Sequence, residues 1–175
     1  MKTFLKIIFG NMKNNINQQP YLFLDIDSVL VTTRQHFAKK LHPKYMTAPF
    51  DSKCVKVLNE ILSTAKPLII LTSDWKLRFK LDVINEIFKY NGIADVVFDY
   101  TPDFWGTQFK SIQEIDTCRG FEILKYVHQY QIEKYVAVDD LDLNPWLNDH
   151  FVRCTHSTEG LKQSNVKEKI LKILI

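Results

Sequence analysis

The sequence predicts an α/β fold in which helices cover both faces of a central parallel sheet. Two observations support this prediction. Beyond residue 20, short apolar runs alternate with longer amphipathic stretches, which is typical of strands and helices that follow each other along a chain. The length of 175 residues allows one core of ordinary size and is short for two. We therefore expect a single domain over residues 20–175, preceded by an N-terminal extension over residues 1–19.

The first half of the domain contains two predicted strands and two predicted helices. Residues 21–26 form the first strand, because their apolar run is bounded by a polar turn. The helix over residues 51–65 has apolar residues at helical spacing on one face. The second strand, residues 68–71, is a continuous apolar run that follows a proline. A helix is then predicted over residues 76–90, since Asn91–Gly92 provides a stop signal directly after it.

The second half repeats this alternation less regularly. A stretch that contains proline, glycine and several aromatic residues interrupts it and is predicted to be a long loop. In chain order, the predicted elements are a short strand near an edge of the sheet at 96–98, the loop at 101–118, a helix at 120–130, strands at 135–138 and 151–154, and a helix at 159–175.

Composition and charge narrow the class of protein. With 46% hydrophobic and 25% charged residues, the chain has the composition of a globular protein in water. The net charge of +3 permits an anionic substrate or a nucleic acid but is too small for a dedicated nucleic-acid binder. Cys54, Cys118 and Cys154 are odd in number and widely spaced, which favours a reducing, cytoplasmic setting. The apolar stretch near residue 5 is interrupted by Lys6 and is too short to span a bilayer, so we expect no membrane contact and a flexible extension.

Three of the predicted strands end in polar side chains. These are Asp25 and Asp27, then Thr72 and Ser73, then Asp139 and Asp140. Each pair taken alone also fits a turn or a helix N-cap. In a parallel sheet, however, the carboxyl ends of neighbouring strands share one edge, so the three pairs are expected to converge. Carboxylates brought together in this way repel one another, and a hard divalent cation such as Mg²⁺ relieves the repulsion. The sequence therefore predicts a magnesium site.

The order of these motifs resembles that of the haloacid-dehalogenase-like (HAD) phosphohydrolase superfamily, from Tyr21 to the C-terminal helix. Within it, the chain is most similar to the small HAD domains of Swiss Army Knife RNA-repair proteins. The likenesses to that group are Phe50-Asp51 with Cys54 and Leu58-Asn59, Ser73-Asp74-Trp75-Lys76, Thr101-Pro102, Arg119-Gly120 and Thr158-Glu159-Gly160-Leu161. The resemblance implies a three-layer Rossmann-like fold. Because the insertion over residues 31–50 is too short for a separate domain, we expect a minimal cap or none.

The resemblance also implies a role for each motif residue. Asp25 would be the nucleophile that forms an aspartyl-phosphate, and Asp27 would be the general acid and then the general base. The carboxylates of Asp25 and Asp140, with the backbone carbonyl of Asp27, would hold Mg²⁺; Asp139 would be an alternative ligand or would lie behind the others. Thr72 would donate a hydrogen bond to a phosphoryl oxygen, with Ser73 as its substitute.

The basic third motif and the turn after Asp27 depart from the family pattern. Arg119, at the start of the predicted helix, is the best match for a residue that is usually lysine in the family, and Lys110 and Lys125 are the alternatives. Ser28 occupies a position that is normally glycine, where the chain turns closely past the site. These two departures leave open a second interpretation, a catalytically weak or inactive HAD-like binding module.

The absence of a sizeable cap favours a phosphate on a large or exposed substrate, such as a nucleic-acid end. Ser73, Trp75 and Lys76 are expected to contact this substrate, although packing is an equally simple role for the tryptophan. Two rival enzyme classes fit less well. A phospho-acceptor receiver domain has its acidic pair first and its single acceptor later, and a nuclease of the DxD type needs a strand-end glutamate before Asp25.

Overall fold

The computed structural model describes residues 19–37, 41–104 and 112–175. The predicted N-terminal extension therefore lies outside the described residues, apart from Gln19, and so does Lys110. The side chain of Gln19 donates a hydrogen bond of 2.8 Å to the carbonyl oxygen of Lys66. The described part of the chain thus begins with a residue that is hydrogen-bonded to the end of a helix.

The described residues form a parallel sheet of five strands in the order β3-β2-β1-β4-β5. The strands are β1 (Tyr21–Leu24), β2 (Leu68–Leu71), β3 (Val97–Tyr100), β4 (Tyr135–Asp139) and β5 (Phe151–Arg153). Since β1 pairs with both β2 and β4, the strand that leads to Asp25 lies at the centre of the sheet. The β3 strand is at an edge, as the sequence predicted. The parallel α/β architecture is confirmed.

Helices pack against both faces of the sheet. The helices of the described ranges are α1 (Thr33–His36), α2 (Ser52–Ala65), α3 (Leu81–Tyr90), α4 (Ile112–Tyr130), α5 (Asn144–Leu147) and α6 (Val166–Leu174). Each of these helices is too short or too polar to cross a bilayer.

Strand alternation divides the core into two apolar clusters, one on each face. In β1, Leu22 and Leu24 face the cluster that contains α2, α3 and α6. Tyr21 and Phe23 face the other cluster, which contains α4 and α5. Phe23 is fully buried there, which stabilises the fold by about 1.5–3 kcal/mol. This alternation follows from the two-residue period of a strand and gives the three-layer arrangement.

Two helices differ from the sequence prediction at their first residues. The loop predicted over residues 101–118 is wrong from residue 112, because α4 already begins at Ile112. Gly120, taken as a helix start, lies inside α4 because it packs against Trp146: an added Cβ would lie 2.8 Å from the ring. The helix predicted over residues 159–175 begins only at Val166: Gly160–Lys162 forms a separate 3₁₀ turn, and Asn165, with a φ of 66°, lies in the left-handed region outside a right-handed helix.

The helix predicted over residues 76–90 also divides in two. Asp74–Leu77 forms a 3₁₀ turn, and α3 begins only at Leu81 because Lys80 has an extended backbone. This short turn begins three residues after the last residue of β2, at the carboxyl edge of the sheet, where the polar strand ends meet.

Candidate active site

The turn after β1 is tight and fully hydrogen-bonded. The backbone carbonyl of Ile26 accepts hydrogen bonds from the N–H groups of Val29, Leu30 and Val31, at 3.3, 2.8 and 2.9 Å. These three residues are fully buried. Ser28 has a φ of 59°, in the left-handed region that favours glycine. The turn therefore does require the unusual conformation that makes glycine common at this position, and serine adopts it here.

Asp25, Asp139 and Asp140 form a compact acidic cluster at this edge. One carboxylate oxygen from each lies within 4.8 Å of the others, and no other such group of His, Cys, Asp and Glu occurs in the part of the chain that the structure describes. Burial raises the pKa of Asp25 well above its ordinary value, and the charge of Asp139 adds to the rise. Burial likewise raises the pKa of Asp140 to about 6, while a hydrogen bond from the Ser28 hydroxyl opposes this.

Arg119 supplies positive charge to the same cluster. Its Nη1 donates to Asp25 Oδ1 at 3.1 Å and to Asp139 Oδ2 at 2.9 Å. Its Nη2 donates to Asp74 Oδ1 at 2.8 Å. Burial opposes a charge at this place, but the carboxylates outweigh it and raise the pKa of Arg119, so the guanidinium stays charged. Arg119 projects from the interior of α4, not from a helix start, and it partly neutralises the cluster.

Thr72 and Ser73 bring two hydroxyl groups to the end of β2. Both residues are 1% exposed, and among the described residues neither hydroxyl has a hydrogen-bond partner. The backbone N–H of Thr72 is held by the carbonyl of Leu24 in β1 at 3.0 Å. Buried hydroxyls are usually paired, and leaving one unpaired costs about 1–3 kcal/mol. These two hydroxyls are therefore suited to an oxygen-rich ligand.

Asp27 lies at the mouth of the site, with a side chain that is 47% exposed. The indole Nε1–H of Trp75 donates to Asp27 Oδ2 at 2.9 Å, and His36 Nε2 lies 3.8 Å from Oδ1. The charge of Asp27 contributes to the raised pKa of Asp25, which places the two carboxylates near each other.

The 3₁₀ turn after β2 joins these parts together. Asp74 contacts Arg119, Trp75 contacts Asp27, and Lys76 extends to Glu122 in α4. The Lys76 ammonium lies 2.5 Å from the Glu122 carboxylate, and both side chains are almost completely buried. Lys76 also donates to the Thr101 hydroxyl at 2.9 Å. Trp75 is only 4% exposed. Of the three residues that were expected to contact substrate, only Ser73 thus has an unengaged polar group.

The donor set fits a hard divalent cation. The cluster offers only carboxylate oxygens, and burial together with the charge of Asp139 raises the pKa values of Asp25 and Asp140, so a bound cation would relieve the repulsion among them. Both oxygens of Asp139 already accept hydrogen bonds, from Arg119 and from the N–H of Leu141. Asp25 and Asp140 are therefore the better candidates for ligands, and their assignment to the cation stays a prediction.

Sequence reasoning did not find three of the contacts described here. Asp74 on Arg119 and Glu122 on Lys76 join residues that are distant in the sequence, and His36 is brought near Asp27 by the segment after the turn. Glu122 carried a weak signal, because it lies three residues after Arg119 and therefore on the same side of α4. For His36 no signal existed, since its position depends on the path of the insertion after β1.

One comparison with known proteins agrees with this geometry. A family model described as the HAD domain in Swiss Army Knife RNA repair proteins matches residues 21–166, which is most of the chain. The matched range begins with β1 and includes the acidic cluster, the two buried hydroxyls and Arg119. Searches of curated proteins and of solved structures found no match.

Proposed function

The chain belongs to the family of HAD domains in Swiss Army Knife RNA repair proteins, and from this we propose that it is an Mg²⁺-dependent phosphohydrolase that acts through an aspartyl-phosphate. The observation that supports this proposal most is the convergence of Asp25, Asp139 and Asp140 within 4.8 Å. They come from the ends of two paired strands, β1 and β4. The unpaired hydroxyls of Thr72 and Ser73 lie at the end of the strand on the other side of β1.

In the first step, a carboxylate oxygen of Asp25 attacks phosphorus and the bond from phosphorus to the leaving oxygen breaks. Asp27, in its acid form, gives its proton to that leaving oxygen. In the second step, Asp27 takes a proton from a water molecule whose oxygen attacks phosphorus, and the bond to Asp25 breaks. Asp25 must be ionised to act as the nucleophile. Arg119 favours that form, since its charge opposes the rise in the pKa of Asp25.

The remaining site residues bind the transferred group or the cation. Thr72 and Ser73 donate hydrogen bonds to phosphoryl oxygens, which satisfies hydroxyls that are otherwise buried without partners. Asp25, Asp140 and the backbone carbonyl of Asp27 would hold Mg²⁺, with Asp139 as the alternative ligand. When bound there, Mg²⁺ would supply positive charge to the transferring phosphoryl group, which is a large part of what this reaction requires.

The proposed substrate is a phosphate monoester on a large molecule, with nucleic-acid ends as the first class to examine. Within the described part of the insertion over residues 31–50, α1 is the one helix, so little protein covers the site from this side. The name of the matched family, which refers to RNA repair, supports the same class. A cytoplasmic setting is also proposed, because all three cysteines are unpaired.

A panel of phosphorylated compounds tests the proposal. The panel contains a generic aryl phosphate and oligonucleotides with a 5′- or a 3′-phosphate, each with Mg²⁺ and with a chelator. We expect Mg²⁺-dependent release of phosphate that Asp25→Asn abolishes. Asp142→Asn is the matched control: Asp142 lies two residues from Asp140, outside the acidic cluster, and pairs with Arg153 at 3.2 Å. A wild-type protein that is inactive on the whole panel and binds no Mg²⁺ by calorimetry would refute the proposal.

A weak or inactive binding module is the second candidate. The observation in its favour is the φ of 59° at Ser28, because strain in this turn can misplace Asp27. Binding of a phosphorylated oligonucleotide without hydrolysis, in both wild type and Asp25→Asn, would identify this alternative.

A further inference from the structure

The carboxyl group of Asp27 is held by one residue that the proposed reaction does not use. Trp75 donates its indole N–H to Asp27 Oδ2 at 2.9 Å. The tryptophan was expected from the sequence to contact substrate, but its 4% exposure leaves almost no surface for that. Its ring packs against Phe50 and Phe79, with centroid distances of 5.9 and 5.8 Å. The donor is therefore fixed in the core, whereas the side chain that it holds is about half exposed.

The chemistry of this donor distinguishes the two oxygens of Asp27. An indole nitrogen can only donate a hydrogen bond and cannot accept one. Oδ2 therefore acts as an acceptor, and because a carboxyl C=O oxygen accepts a hydrogen bond better than an O–H oxygen does, a proton on the carboxyl group is favoured on Oδ1. Oδ1 lies 3.8 Å from His36 Nε2, which is beyond hydrogen-bond distance. The oxygen that faces the half-exposed His36 at the mouth of the site is thus left available for proton exchange.

We propose that Trp75 is a positioning residue for proton transfer, which fixes Asp27 through Oδ2 and leaves Oδ1 as the oxygen that gives up the proton. This inference rests on the proposed function, because it assumes that Asp27 protonates the leaving oxygen. It does not require that Trp75 touches the substrate. The same 3₁₀ turn also places Asp74 on Arg119, so one short segment contacts both the proton donor, Asp27, and the guanidinium that lies next to the nucleophile.

The dependence of the rate on the leaving group tests this role. An alkyl leaving oxygen is strongly basic and needs a proton as it departs, whereas an aryl oxygen with an electron-withdrawing ring departs without one. We expect Trp75→Phe, which keeps a ring in the core and removes the N–H, to slow formation of the phosphoenzyme from an alkyl phosphate by about tenfold to a hundredfold. With 4-nitrophenyl phosphate, the same step should change by less than about twofold, as measured by single-turnover quench.

Two controls separate positioning from packing. Phe79→Leu perturbs the ring that packs against Trp75 without removing the N–H, and it should slow both substrates equally or not at all. In ¹⁵N-resolved NMR spectra, the indole N–H of Trp75 should lose protection from solvent exchange on Asp27→Ala and keep it in Phe79→Leu. This measurement reports the contact itself and needs no catalytic activity.

The outcomes distinguish this inference from the function on which it rests. A loss in Trp75→Phe that is equal for the two substrates, or no loss for either, overturns the positioning role while the phosphohydrolase proposal stands. An indole N–H of Trp75 whose protection does not change on Asp27→Ala overturns the positioning role as well. A wild-type protein without activity on any substrate overturns the proposed function and, with it, this role.

Discussion

Removing the positive charge of Arg119 should destabilise the fold unless a divalent cation replaces that charge. Arg119 is 4% exposed and contacts two carboxylates that are equally or more deeply buried, those of Asp25 and Asp139. In Arg119→Met, a side chain of similar length remains but the charge is lost. Asp25, Asp139 and Asp140 then repel one another without the guanidinium that contacts Asp25 and Asp139.

The size of the effect follows from burial. Removing one partner of a buried ion pair costs about 3–5 kcal/mol, because the remaining charge stays unpaired in the low-dielectric interior of the protein. The third contact, with the half-exposed Asp74, contributes less than about 1 kcal/mol. We therefore expect a loss of about 4 kcal/mol at neutral pH in a chelator, out of a total of about 5–15 kcal/mol for a domain. Arg119→Lys keeps the charge and should lose only about 1–2 kcal/mol of stability, because a single ammonium group cannot reproduce the contacts that the two guanidinium nitrogens make.

Urea unfolding with a chelator and with saturating Mg²⁺ measures this effect. Mg²⁺ should restore much of the loss in Arg119→Met, since the cation takes over the neutralisation of Asp25 and Asp140. Lys76→Met is the matched control: it breaks the buried pair with Glu122 outside the acidic cluster, so its loss of stability relative to wild type should be the same with Mg²⁺ as in the chelator. If Arg119→Met is as stable as wild type in the chelator, or if Mg²⁺ stabilises the two variants equally, the electrostatic account of the cluster is wrong.

Three further predictions concern the cluster and the turn after β1. The pKa of Asp140, about 6, lies above the unfolded value of about 3.9, so the metal-free native state binds more protons and its stability should fall as pH rises from about 4 to about 6. Urea unfolding at several pH values measures this slope, which Mg²⁺ should abolish, and a slope of the opposite sign in the metal-free protein would contradict the prediction. Carboxyl groups with lowered pKa, such as Asp51, do not interfere, because the stability that they contribute is lost only below about pH 4. Gly160→Ala should lower the free energy of unfolding by about 2–3 kcal/mol in thermal unfolding, since the new Cβ would lie 2.4 Å from the Val29 carbonyl oxygen. Gly92→Ala is the control: it also has a positive φ but lies in open space, and it should cost about 1 kcal/mol. Equal losses in the two variants would exclude the close contact as the cause. Ser28→Gly should leave stability within about 1 kcal/mol of wild type, because relief of strain offsets the lost hydrogen bond to Asp140. Ser28→Ala keeps the strain and should lose about 1–2 kcal/mol. Equal stability of the two variants would exclude the strain as a cause, and a Ser28→Ala protein as stable as wild type would exclude the hydroxyl.

The acidic cluster was predictable because it depends on strand ends alone. Asp25 and Asp139 each follow or end an apolar run, and parallel strands place such ends at one edge. The prediction required only that β1 and β4 be neighbours, which their pairing satisfies. The positions of Thr72 and Ser73 followed by the same argument from β2.

Element boundaries were less predictable wherever a residue served a tertiary contact. Gly120 indicated a helix start by its local preference, but it lies inside α4 because the Trp146 ring occupies the space of a Cβ. Gly160 was placed inside a helix, but its positive φ brings it against the turn after β1. In both cases the glycine meets a segment that is distant in the sequence, which local signals do not reveal.

The sequence by itself determined the α/β class, the order of the strands and helices along the chain and the set of polar residues at the carboxyl edge, because these follow from apolar periodicity and from where each run ends. Only the tertiary structure decided what those residues contact. Trp75 donates to Asp27 across 48 positions, Arg119 reaches Asp25 across 94, and Lys76 pairs with Glu122 across 46. Such partners depend on which strands and helices lie side by side and on how side chains pack between them. Periodicity shows which face a residue occupies, but it does not show which residue faces it.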